Sequence, residues 1–222
     1  SERRRKAPNF PTWPRTRPAR LARRLMMAGL VLPALRPLYS VQVRGRANLA
    51  GLKEPCLIIS NHNMHLDQAM LLTAMPHGLR QRVAIAAAAS DIFGNRFRGF
   101  WASLLGNAFP FAKEGSGVRE SLEYVARMLD GGWNVLIFPE GKLTVMGPTQ
   151  RFKSGVGLLA VETGVPVLPM RIDVQRPGFY EGKWLPHPRA RVRVSVGQPV
   201  VFEPGTSYTD VIVTLEQAVR EA

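Results

Sequence analysis

The segment Pro55-Cys56-Leu57-Ile58-Ile59-Ser60-Asn61-His62-Asn63-Met64-His65-Leu66-Asp67 decides how the whole chain is read. A short apolar run from Pro55 to Ser60 stops abruptly at polar residues. A run without alternation marks a strand buried on both faces, as in a parallel sheet. The polar residues would occupy the loop beyond its carboxyl end, where open α/β sheets receive their ligands. From Asp67 to Met75 the spacing turns helical. Strand, polar loop and helix in that order predict one unit of an α/β layered domain.

The flanking sequence repeats the theme. Tyr39 to Val43 alternates and predicts a strand ending at Gly45. Val83 to Ala89 is a second buried run, although its alanines leave helix open. Residues 95–105 predict a helix with an aromatic face. Val118, Leu122, Val125 and Leu129 line one face of a helix that stops at Gly131-Gly132. Trp133 to Phe138 predicts a strand and Ser154 to Thr163 a helix ending at Gly164. Val165 to Asp173 and Arg191 to Val196 predict strands joined by a long Pro/Gly/aromatic loop. Val211, Leu215, Ala218 and Val219 predict a closing helix. The expected fold is α/β: a mixed, mostly parallel sheet flanked by helices, preceded by a basic amphipathic N-terminal helix.

The chain has 222 residues, 45% apolar and 21% charged, enough to bury a large core. Its net charge of +14 is concentrated at one end. Residues 1–46 carry twelve Arg/Lys against Glu2, a net of +11; the remainder carries eighteen against fifteen, a net of +3. This suggests a basic arm with an interfacial helix over 1–38 and a catalytic domain over 39–222. Pro8, Pro11, Pro14 and Pro18 predict extended or disordered chain up to residue 18. A helix over about 19–32 would be broken by Pro33 and Pro37.

Basic residues attract both nucleic acid and anionic membrane surfaces. Leu21, Leu25, Met26, Met27, Leu30, Val31 and Leu32 favour the membrane, because such a helix suits the headgroup layer; packing on the domain is the alternative. The run Leu25 to Leu35 spans eleven residues, well short of the ~20 needed to cross a bilayer. It imitates a secretory signal, but Pro33 and Pro37 fit one poorly. A lone Cys56 in an apolar run reads as a buried hydrophobe and fits a reducing compartment. The expected location is peripheral, on the cytoplasmic face of a membrane, with no nucleic acid bound. The chain starts at Ser1, which leaves room for a fused upstream domain.

Three polar clusters could carry chemistry. In the first, His62 could take a proton from a hydroxyl, and Asp67, five residues on, could hold its other ring nitrogen. Asp67 could instead cap the following helix. A metal held by His62, His65 and Asp67 lacks a distant ligand to complete it, so no metal is expected. The second cluster is Phe138-Pro139-Glu140-Gly141-Lys142, which is also ordinary turn chemistry. The third is Gly106 to Lys113, which, with Arg151 and Lys153, could bring cations to a phosphate.

Taken in order, these blocks resemble the glycerolipid acyltransferases, the PlsC-type 1-acyl-glycerol-3-phosphate acyltransferase family. Asn61-His62-x4-Asp67 is similar to its Asn-His-x4-Asp block and Phe138-Pro139-Glu140-Gly141 to its Phe-Pro-Glu-Gly block. Gly106 to Lys113 resembles the block between them, with Lys113 where that family usually has Arg. Phe152-Lys153-Ser154-Gly155 and Val165 to Pro169 resemble later blocks, so the likeness covers roughly residues 40–200. It implies transfer of a fatty acyl group from acyl-CoA or acyl-carrier protein, as co-substrate rather than cofactor, to a lysophospholipid hydroxyl. It implies His62 as general base and Asp67 as its orienting partner, with no covalent acyl-enzyme. Asn61, Lys113, Glu140 and Gly141, with Lys142, Arg151 and Lys153, would bind substrate. Where the family often continues Thr-Arg-Ser, this chain has Lys142-Leu143-Thr144, a departure that bears on the acceptor phosphate and is similar to acyltransferase modules fused to acyl-activating ligases.

Three other readings compete. Gly155-Val156-Gly157-Leu158-Leu159-Ala160 fits a dinucleotide fingerprint but does not follow a strand. A non-catalytic membrane-surface adaptor would use the arm alone. A thioesterase would substitute water for the acceptor.

Overall fold

The computed structural model describes residues 9–37, 39–63, 66–143, 150–174 and 190–222. Residues 1–8, the candidate ligand His65, Thr144 and the loop joining the last two strands lie outside the described residues.

The N-terminal helix comprises α1 (Arg17–Met26), one π-type turn over Met27–Val31 and α2 (Leu32–Leu35). Six more helices follow: α3 (Asp67–Ala74), α4 (His77–Gln81), α5 (Arg96–Gly106), α6 (Gly117–Asp130), α7 (Ser154–Thr163) and α8 (Tyr208–Glu221). The strands are β1 (Tyr39–Arg44), β2 (Leu57–Ser60), β3 (Val83–Ala88), β4 (Ala108–Phe111), β5 (Asn134–Ile137), β6 (Val167–Val174) and β7 (Ala190–Val196). They form one sheet in the order β1-β7-β6-β2-β5-β3-β4. Neighbours from β6 to β4 are all parallel; β7 is antiparallel to β6, and β1 runs parallel to β7. The expected mixed, mostly parallel sheet is the one that forms.

The central strands are apolar throughout because both faces are covered. Ile58, Leu136 and Leu168 point into one core with Met70 and Leu71 of α3 and Leu79 of α4. Leu57, Ile59, Val135 and Val167 point into the other, against Val125 and Leu129 of α6, Leu159 of α7 and Leu215 of α8. The alanines of 83–89 resolve as strand β3, wedged between β5 and β4.

The structure departs from the sequence reading in three places. The stretch up to residue 18 is not extended throughout: Trp13–Arg15 forms a 3-10 turn, and α1 begins at Arg17. The helix does not end at Pro33, which sits in the first turn of α2 behind the π-type turn. Ala108–Phe111, given no secondary structure in the sequence reading, is edge strand β4, where Pro110 costs no interior ladder bond. Among the described residues, no helix is long and apolar enough to cross a membrane.

Candidate active site

Strands β2, β5 and β6 are parallel neighbours, so the loops after β2 and β5 emerge together beside the carboxyl end of β6. The loop after β2 is stitched to that end. Asn61 accepts from the Ile172 N–H at 2.8 Å and donates to the Ile172 carbonyl at 2.9 Å, as one more rung of the sheet would. Asn63 donates to the same carbonyl at 2.8 Å. Asn61 is buried, and its amide is committed to β6.

Asp67 is the first residue of α3, with Leu66 in the capping position, so it does not cap its own helix. Its buried carboxylate turns back over the loop, accepting the Asn63 N–H at 2.6 Å and meeting His62 Nδ1 at 2.9 Å. The first helical turn suits a carboxylate, because unpaired N–H groups gather there. Asp67 therefore fixes the tautomer: Nδ1 carries the hydrogen, and Nε2 is left able to take a proton. The His62 side chain is 22% exposed, while that of Asp67 is fully buried. The imidazole lies against the Phe138 ring, with centroids 4.2 Å apart and planes 22° from parallel.

Glu140 closes the cluster from the β5 side. It is 3% exposed; Oε1 accepts the backbone N–H of His62 at 3.0 Å and Oε2 that of Gln150 at 3.0 Å. Gly141 follows with φ +71°, a left-handed turn in which its N–H reaches the Phe138 carbonyl at 3.1 Å. A Cβ on Gly141 would lie 2.9 Å from Lys153 Cε, so the Lys153 stem runs over this bare backbone. Lys153 Nζ donates to the Lys113 carbonyl at 3.3 Å and lies 3.7 Å from Glu114. Lys113 pairs with Asp91 at 3.1 Å. Hydrogen bonds from Ser90 and then Lys113 hold the Asp91 carboxyl below its ordinary range.

The nine candidate residues therefore fall into three groups. His62, Asp67 and Glu140 form one hydrogen-bonded cluster, which Asn61 joins only through the Ile172 carbonyl that it shares with Asn63. Gly141, Lys113 and Lys153 form a rim beside it, in which each ammonium group has a carboxylate neighbour, Asp91 or Glu114. Lys142 and Arg151 are exposed and, among the described residues, join neither group through a hydrogen bond or ion pair. Three participants carried no assigned role in the sequence reading: Asn63, the Phe138 ring and Tyr39. Tyr39 is buried, and its hydroxyl is pushed up to about 12 by burial and then by the Asp67 charge. Asn63 and Phe138 had a sequence signal, the one its place inside the polar loop and the other its place at the head of the Phe138-Pro139-Glu140-Gly141 block; Tyr39 had none.

The family model described as Acyltransferase matches residues 40–173. Among curated proteins, a 1-acyl-sn-glycerol-3-phosphate acyltransferase of Pseudomonas aeruginosa is 31% identical over 163 residues, which is 70% of this chain and 57% of that protein. A chloroplastic 1-acyl-sn-glycerol-3-phosphate acyltransferase of Brassica napus is 29% identical over 136 residues, 61% of this chain and 38% of that protein. The chain thus spans between about two-fifths and three-fifths of the length of these relatives. Among solved structures, the 1-acyl-sn-glycerophosphate acyltransferase PlsC from Thermotoga maritima superposes with a TM-score of 0.61 at 20% identity, covering 92% of this chain and 76% of that one. That likeness concerns the fold. With the family model matched from Ser40 to Asp173, across every strand from β2 to β5 and the His62–Asp67 loop, the chain belongs to the acyltransferase family.

Proposed function

We propose that the chain is an O-acyltransferase that moves a fatty acyl group from an acyl thioester to the hydroxyl of a lysophospholipid of the 1-acyl-glycerol-3-phosphate type. The observation that carries this reading is the His62 Nδ1–Asp67 Oδ2 contact of 2.9 Å, between a buried carboxylate and a part-exposed imidazole. His62 Nε2 takes the acceptor's hydroxyl proton as the oxygen attacks the thioester carbonyl carbon. The tetrahedral intermediate collapses, the C–S bond breaks, and the imidazolium returns its proton to the leaving sulfur. Asp67 stabilises the imidazolium without taking the proton itself. The acceptor's own oxygen is the nucleophile, so no acyl-enzyme forms. The donor is acyl-CoA or acyl-carrier protein.

Lys113 and Lys153, beside the bare Gly141 backbone, supply positive charge for the acceptor phosphate. As ammonium groups they bind it as point charges, without the paired geometry of a guanidinium. A long-chain acceptor has to be drawn from a lipid phase. Leu21, Leu25 and Leu30 on the N-terminal helix and Phe97 and Phe100 on α5 are exposed, and they lie among Arg17, Arg20, Arg24, Arg96 and Arg98. Such a surface suits an anionic bilayer and peripheral attachment at the cytoplasmic face.

The test is to incubate purified protein with labelled acyl-CoA and a panel of lysolipids and to identify products by mass spectrometry. Acyl transfer should depend on the acceptor; release of free fatty acid without acceptor dependence would instead mark a thioesterase. His62→Ala should lose about 10²- to 10⁴-fold in rate with its fold intact, and Asp67→Asn should be severely slowed. Undiminished turnover in His62→Ala would remove the assignment.

A further inference from the structure

The sheet face opposite α3 is covered by α8 only as far as Pro169 and Gly197. Beyond that line it opens into a cavity of about 500 Å³ between β6, β7, β1 and the last turn of α8. Strand register builds its floor. Arg171, Ser195 and Arg44 stand side by side on β6, β7 and β1, with Asp173, Arg193 and Gln42 in the next row. Strands ~4.8 Å apart put the Arg171 and Arg44 backbones roughly 10 Å from each other, with the Ser195 hydroxyl between them. Arg44 and Arg193 are diagonal neighbours on β1 and β7, about 8 Å apart by the same strand spacing and rise, and two guanidiniums can close over one oxyanion from that separation.

Four arginines line the cavity, Arg44, Arg171, Arg193 and Arg220, against the carboxylates of Asp173 and Glu221. Asp173 is taken by Arg171, at 3.0 and 3.2 Å, and Arg220 pairs with Glu216 at 3.0 Å. Among the described residues, Arg44 and Arg193 have no carboxylate partner. Arg193 Nε is buried with no hydrogen-bond partner in the described structure, an arrangement that costs free energy unless a ligand completes it. The rim is held by other residues. Asn48 donates to the Val196 carbonyl at 2.8 Å and accepts from Gln198 at 2.8 Å. Gly45, at φ +68°, lets β1 approach so closely that a Cβ there would sit 2.1 Å from the Val196 oxygen.

We infer that this cavity binds a phosphate-bearing anion, gripped by Arg44 and Arg193 beside Ser195, at a site separate from the His62 cluster. Forked guanidiniums favour phosphate over chloride because they pair with two of its oxygens at once. The phosphate belongs either to a soluble phosphomonoester or to a lipid headgroup.

The test uses the full chain and inorganic phosphate, with thermal shift and calorimetry read against sodium chloride at matched ionic strength. Phosphate should stabilise the protein saturably, and the Arg44→Gln/Arg193→Gln double variant should bind at least tenfold more weakly. Arg193→Lys, which keeps the charge and loses the fork, should weaken binding several-fold. His62→Ala and the Lys113→Ala/Lys153→Ala variant should retain the binding, so the result stands apart from the catalytic assignment. Parallel arms with a nucleoside 3′,5′-bisphosphate and with vesicles containing phosphatidic acid identify the source. Binding that survives the double variant undiminished, or stabilisation that tracks ionic strength alone, overturns the inference.

Discussion

Glu140 shows how residue roles implied by motif differ from roles implied by geometry. As part of a Pro-Glu-Gly turn it reads as a substrate ligand, yet its two oxygens hold the backbone N–H groups of His62 and Gln150. On that geometry Glu140 positions His62, the base of the proposed reaction. Glu140→Gln keeps one acceptor oxygen and turns an NH₂ toward one of those N–H groups. Hydrogen bonds to a charged group contribute about 1.5–3 kcal/mol, so kcat should fall roughly 10- to 100-fold. KM for the acceptor should stay nearly constant; a direct phosphate or hydroxyl ligand would raise KM instead, and steady-state kinetics separates the two. The His62–Asp67 pair was legible in sequence because the two residues lie only five positions apart, so the contact is local. The Glu140 contact crosses 78 positions, and only the pairing of β2 with β5 makes it. Cys56 belongs at this scale too. Burial and then the nearby Glu54 push its thiol up to about 12. A raised thiol pKa means thiolate is scarce below that value, so native protein at pH 8 should resist alkylation by iodoacetamide. Rapid labelling without unfolding, followed by mass spectrometry, would contradict the burial.

At the scale of elements, the N-terminal helix obeys its proline in an unexpected way. Pro33 has no N–H to offer the preceding turn, and the chain responds with a π-type turn at Met27–Val31 rather than a break. The Leu32 N–H reaches back to the Met27 carbonyl, and the helical path carries on to Leu35. Apolar spacing revealed the helix, but no local pattern announces a π-type turn. Strand β4 was hidden for a related reason: four residues with a proline carry too little periodicity, and its strand character comes from pairing with β3. The outward residues of the helix make a prediction that packing does not confound. Leu21 and Leu25 are exposed, so replacing both with Ser should leave the melting temperature within about 1 °C. Burying one leucine side chain contributes roughly 1.5–3 kcal/mol, and partial insertion of two should make the loss in vesicle partitioning about 10- to 100-fold. Sedimentation with anionic vesicles measures it, and Phe97→Ser should act in the same direction because that ring is 72% exposed.

For the whole molecule, composition marks off a basic arm, but its described part is not a detachable one. Phe10 stacks on Tyr124 of α6 with ring centroids 4.0 Å apart, and Trp13 on Phe100 of α5 at 5.2 Å. Arg23 donates to the carbonyls of Leu104 at 2.6 Å, Pro14 at 2.7 Å and Ser103 at 3.1 Å, and burial lowers its pKa to about 10. Residues 17–35 at 1.5 Å each rise about 28 Å, and six strand spacings of ~4.8 Å give a sheet about 29 Å wide. The helix therefore has the length to run from α5, beside edge strand β4, to the start of β1 at the opposite edge. Charge asymmetry could not disclose this, because arginines that solvate an arm and arginines that bond to carbonyls look alike in sequence. Deleting residues 1–37 should thus do more than release the protein from vesicles. It strips aromatic cover from Tyr124 and Phe100; removing a buried Phe or Trp costs about 3–5 kcal/mol, and these half-covered rings together should cost about that much. For a chain of this size each kcal/mol shifts the melting point roughly 2–4 °C, so the truncated protein should melt about 6–20 °C lower. It should also lose turnover on detergent-dispersed substrate as the temperature approaches that lowered midpoint. A truncated protein that melts with the full chain, measured by circular dichroism in the same buffer, would mean that the arm's contacts contribute nothing to the fold.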